Sequence, residues 1–92
     1  MRHARSEDLD RLEPLLATLR AFPALKEKSR GVFYLGGKAF LHFHADPAGL
    51  FADVRAETGD FERLRVDVAE GAEELVRRVE ERFFPPASGG KS

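Results

Sequence analysis

The stretch GVFYLGGKAFLHFHADPAGLFADVRAETGDFERLRV, residues 31–66, decides the fold. Apolar and polar residues alternate along it, the period-two signature of half-buried strands. The runs Val32–Leu35, Lys38–Ala45, Leu50–Glu57 and Phe61–Val66 are separated by Gly36-Gly37, by Asp46-Pro47-Ala48-Gly49 and by Thr58-Gly59-Asp60. Glycine, proline and aspartate at these points supply the backbone conformations that tight turns need. Connections this short join antiparallel neighbours, so the segment predicts a four-stranded antiparallel meander.

Turn length sets register, and register sets which side chains share a face. A two-residue turn at Gly36-Gly37 pairs Leu35 with Lys38 and hence Phe33 with Phe40. A four-residue turn at 46–49 pairs Ala45 with Leu50 and His42 with Asp53. A three-residue turn at 58–60 pairs Glu57 with Phe61 and Asp53 with Arg65. One face then collects Val32, Tyr34, Leu41, Phe43, Leu50, Ala52, Val54, Leu64 and Val66 as a core face. The other carries Phe33, Phe40 and Phe51 among His42, His44, Asp53, Arg55, Arg63 and Arg65. Three phenylalanines on that second face predict that it is covered, by the chain's own termini, by a ligand, or by a second copy with Phe33, Phe40 and Phe51 as a homodimer interface.

Outward from the strands, Leu9, Leu12, Leu16 and Leu19 recur at helical spacing. Pro14 is tolerated best at a helix start, which predicts a helix from about Pro14 to Phe22, ended by Pro23. Residues 24–30 read as a charged link. Asp67 reads as the N-cap of a second helix, with Glu70 as its capping-box partner. Ala72, Leu75, Val76, Val79 and Phe83 form its apolar stripe, and Pro85-Pro86 stop it. The expected fold class is α+β: a four-stranded meander with an N-terminal and a C-terminal helix packed on one face. The domain spans 9–84, flanked by a flexible N-terminus at 1–8 and a flexible tail at 85–92.

Composition narrows the function classes. The 92 residues, 42% of them hydrophobic and 34% charged, make one modest core. Fifteen Lys and Arg against sixteen Asp and Glu leave a net charge of -1, unlike the strongly basic balance of a dedicated nucleic-acid binder. The absence of cysteine excludes disulfides, thiolate catalysis and Cys-ligated metal. No apolar run approaches the ~20 residues of a membrane span. The opening MRHARSEDLD does not read as a signal peptide, so the expected address is the cytoplasm and no membrane partner is expected.

Two side-chain groups could carry chemistry. His42 and His44, two residues apart on one strand, point the same way, and Asp53 stands opposite His42. Two imidazoles and a carboxylate suit a divalent metal or a small ligand. The competing reading is a hydrogen-bonded row in which Asp53 serves His42 and Arg65. No nucleophile or oxyanion donor accompanies them, so a non-enzymatic binding or interaction module without a cofactor is expected. The second group is basic: Lys26, Lys28, Arg30 and Lys38 outnumber Glu27 and could contact phosphates. The simpler reading of these residues is an ordinary solvated link.

The segment Phe22-Pro23-Ala24-Leu25-Lys26-Glu27-Lys28, followed by Phe33-Tyr34-Leu35-Gly36-Gly37-Lys38-Ala39-Phe40, resembles the MmcQ/YjbR family. Phe33, Gly37, Lys38 and Phe40 fall on that family's strand pattern, and Pro23 and Glu27 on its preceding turn. The acidic start of the second helix, Asp67 to Glu70, is also similar. The resemblance spans about residues 15–83, with its sharp part under 25 residues. It implies a compact α+β fold of frataxin-like topology and DNA as a partner, with Lys26, Lys28, Arg30 and Lys38 as the contacts. It carries no catalytic residues onto this chain.

Overall fold

Gly36 and Gly37 both adopt positive φ, 61° and 84°, the conformation a two-residue hairpin matched to strand twist requires at its two central positions. Leu35 pairs with Lys38 across them, as expected. From this hairpin the sheet extends both ways. The computed structural model describes residues 2–84. Its strands are β1 Arg2–His3, β2 Leu25–Ser29, β3 Val32–Leu35, β4 Lys38–Asp46, β5 Gly49–Arg55 and β6 Phe61–Arg65. Its helices are α1 Ser6–Arg11, α2 Glu13–Arg20 and α3 Ala69–Phe83. The strand order is β2-β3-β4-β5-β6, antiparallel throughout, and β1 pairs with the far end of β4. Among the described residues no helix is long and apolar enough to cross a membrane.

The α+β class and the antiparallel sheet with its helices on one face are as expected, but the sheet has six strands rather than four. The charged link is strand β2. Leu25 is buried, Glu27 half-buried, and Lys26 and Lys28 are exposed, so the alternation is present but masked by charge. The amide of Gly31 donates to Glu27 Oε2 at 3.0 Å and helps close the β2–β3 hairpin. The other added strand is β1, in the opening segment expected to be flexible. Arg2 pairs with Ala45 and His3 with His44. The expected flexible tail at 85–92 lies outside the described residues.

Register explains the largest correction. Phe33 pairs with Leu41, while Tyr34 pairs with Ala39, so a bulge at Phe40 reverses the parity of β3. Phe33 turns inward at 0% exposure and Phe40 at 2%, while Val32 and Tyr34 move to the open face. Burying an aromatic ring stabilises by about 1.5–3 kcal/mol. Two such rings outweigh one disturbed ladder bond of about 1 kcal/mol. Of the expected interface trio only Phe51 remains on the open face. Between β4 and β5 the expected pairs hold: Leu41 with Val54, His42 with Asp53, Ala45 with Leu50. Between β5 and β6 the loop is five residues long, 56–60, so Asp53 pairs with Arg63 instead of Arg65. Because the shift is two residues, parity survives and Leu64 still faces the core.

The helices cover one face. Leu9, Leu12, Leu16 and Leu19 from the α1–α2 arm and Leu75 and Val79 from α3 are buried against Leu41, Phe43, Ala52 and Val54. The arm breaks at Leu12, and Pro14 sits in the first turn of α2, where its missing N–H is harmless. The N-cap of α3 is Val68, without a side-chain cap bond. Asp67 does not cap because its carboxylate accepts from the Arg65 guanidinium at 2.7 and 3.3 Å. Gly71 lets α3 approach the sheet: a Cβ there would lie 1.5 Å from the Arg65 carbonyl oxygen.

Candidate metal centre

The face of the sheet away from the helices holds the candidate site. Alternation along β4 places His42 and His44 on this face, and the pairing of His3 with His44 brings a third imidazole to it. The His3 ring stacks on His44 with centroids 5.0 Å apart. His42 meets His44 edge-on at 4.8 Å, and His3 and His42 are 6.3 Å apart. Each of the three offers one ring nitrogen, and these nitrogens lie within 4.8 Å of one another. His3 is exposed, and His42 and His44 are half-buried.

Asp53 stands beside this trio. Its side chain is 11% exposed. The Arg63 guanidinium donates to both carboxylate oxygens, at 2.7 and 2.8 Å. His44 Nε2 approaches Oδ2 at 3.1 Å. The bonds from Arg63 hold the Asp53 carboxyl below the usual carboxylate range, so it stays anionic. A His44 that donates its Nε2–H to this anion keeps its lone pair on Nδ1. That is the arrangement by which a carboxylate fixes the tautomer of a metal-ligating histidine.

His42 lies under Phe61, whose ring meets it edge-on at 5.1 Å. The Arg55 guanidinium stands 4.5 Å from the same Phe61 ring and donates to the Ala39 and Gly59 carbonyls. Burial pushes the His42 pKa down, which favours the neutral imidazole that binds metals. Among the described residues, His42 Nδ1 is the buried side-chain polar atom that lacks a hydrogen bond. Leaving such an atom unsatisfied costs about 1–3 kcal/mol.

The expected trio of His42, His44 and Asp53 is therefore brought together, with the roles redistributed. Asp53 is occupied by His44 and Arg63, not by His42 and Arg65. The third imidazole is His3, from a segment in which no periodicity is readable because a two-residue strand is too short to alternate. The basic residues form no comparable cluster. Lys26 and Lys28 project from β2, with Lys28 Nζ 5.4 Å from the Tyr34 ring centroid. Lys38 is exposed beside the Gly36-Gly37 turn. Arg30 is bound to Asp10 at 2.8 Å and Glu13 at 2.7 Å, so its charge is largely answered within the chain. Comparison with family models, curated proteins and solved structures finds no match for this chain.

Proposed function

We propose that this domain binds a divalent transition metal ion on its open sheet face through His3, His42 and His44. The observation that carries the reading is the convergence of three imidazoles from two strands, one of them with a buried nitrogen that has no partner. Imidazole suits zinc, copper, nickel and iron. At a Zn–N distance of 2.0–2.1 Å, tetrahedral ligand nitrogens stand about 3.3 Å apart. The rings must therefore close from 4.8 Å by about 1.5 Å. The short strand β1 bears the exposed ring, and it is the element best placed to move. Asp53 supports the reading as the group that orients His44.

Thermal unfolding with Zn²⁺ or Ni²⁺ tests it. A ligand at a hundred times its Kd stabilises by about 2.7 kcal/mol, which for a domain of this size raises Tm by about 10–20 °C. His42→Ala and His3→Ala, each with a near-parental Tm in chelator, are expected to lose that rise. A parent protein whose Tm ignores both ions, or a rise that survives in both variants, would overturn the proposal.

A further inference from the structure

The histidine cluster lacks one thing a metal ion needs. Within the described residues three neutral ligands converge, whereas closed structural zinc sites take four protein ligands. The nearest carboxylate, Asp53, is already committed to other groups and its charge is answered by Arg63. Both Asp53 oxygens accept from Arg63, and Oδ2 also meets His44. Three imidazoles contribute no charge, so a bound divalent ion keeps its full double charge.

The surroundings do not offset that charge. Asp53 is balanced by Arg63, and Asp67 is balanced by Arg65 at 2.7 Å. Asp46 lies close enough to raise the Arg63 pKa, and its carboxylate accepts from the Ala48 amide in the β4–β5 turn at 2.9 Å. Arg55 carries a positive charge at the other end of the cluster, held over Phe61 by carbonyl partners that carry no net charge, so the formal charges of these three aspartates and three arginines sum to zero. The metal's own two charges are left over. They lie beside half-buried rings, where the local dielectric is lower than in water and an uncompensated charge is costlier.

We infer that the metal-loaded site is an anion receptor: its open coordination position takes a small oxygen-donor anion, a carboxylate or a phosphate, from solution. The inference rests on the metal reading above. Phe61, on the rim and 39% exposed, shields one side of the position, and Arg55 behind it adds attraction for a negative ligand. His3 is exposed, so solvent reaches this side of the cluster.

Cobalt(II) makes the two claims separable, because its visible absorption reports both uptake and coordination. The full chain is loaded with one equivalent of Co²⁺ and titrated with sodium acetate and, separately, inorganic phosphate at constant ionic strength. The expected result is a saturable change in the cobalt bands with each anion, absent from His42→Ala, with phosphate binding at least tenfold weaker to the metal-free protein. Cobalt taken up and lost in His42→Ala, but with bands that neither anion moves, would overturn the inference while leaving the metal reading intact. Light scattering on the same samples covers the remaining case. A metal-induced dimer insensitive to anions means that a second copy fills the position, which also overturns it. No cobalt uptake at all removes both readings together.

Discussion

Replacing Gly71 with alanine tests how α3 is joined to the sheet. The added Cβ would lie 1.5 Å from the Arg65 carbonyl oxygen and 2.7 Å from its carbonyl carbon. Carbon–oxygen contacts of this kind settle at about 3.3–3.6 Å. The helix and β6 must therefore part by about 2 Å, and because both partners are backbone, no rotamer change relieves the overlap. In an unobstructed helix the same substitution stabilises by about 1 kcal/mol. Here overpacking opposes it by about 1–3 kcal/mol. Lifting the first turn also uncovers part of Leu75, which is fully buried and whose burial is worth about 1.5–3 kcal/mol. The net expectation is destabilisation by about 1–4 kcal/mol. At about 4–8 °C per kcal/mol for a domain of this size, Tm falls by at least about 4 °C. Thermal unfolding followed by far-ultraviolet circular dichroism measures it. A variant melting at or above the parent temperature would refute the close approach, since only the propensity gain would then remain.

Asp53→Asn is expected to weaken metal binding by about 10–100-fold while the protein stays folded, because His44 loses its anionic acceptor; calorimetric titration with Zn²⁺ checks it, and an unchanged Kd would remove the orienting role. Phe40→Asp is expected to abolish cooperative unfolding, since it puts a charge where a ring is 2% exposed, whereas Phe51→Asp, on the open face, should leave a folded protein. A folded monomer from Phe40→Asp would return that ring to an interface. Asp8 is held by the Arg5 amide at 2.9 Å and by the Arg2 guanidinium at 2.8 Å, which lower its pKa from 3.8. A carboxyl depressed on folding contributes stability that is present above 3.8 and lost as pH falls through its folded value. The stability gap between parent and Asp8→Asn should therefore be constant near neutrality and close below pH 3.8; a gap that persists at low pH would show that the contribution is not ionic.

How much of the site was legible follows from which distances are local. The i, i+2 placement of His42 and His44 is a property of any strand and could be read directly. The position of Asp53 opposite His42 needed one hairpin, and the Asp46–Gly49 turn sets it to the correct register. His3 needed contact between residues some forty positions apart, made by a two-residue strand with no pattern of its own. The partner of Asp53 depended on loop length: three turn residues give Arg65, five give Arg63. The two extra residues, Ala56 and Glu57, read as strand because nothing in their composition marks them as loop.

Local chemistry determined the antiparallel meander, the amphipathic α3, the inward face of β4 and β5, and the pair of histidines on the opposite face. These follow from periodicity and turn residues, which act over a few positions and need no knowledge of the rest of the chain. Tertiary structure decided the inward turn of Phe33 and Phe40, the strand hidden in residues 25–29, and the third imidazole. Each of those is a choice between alternatives that are nearly equal locally. The bulge at Phe40 disturbs one ladder bond and gains two buried rings, and that gain exists only once helices cover the face on which the rings land.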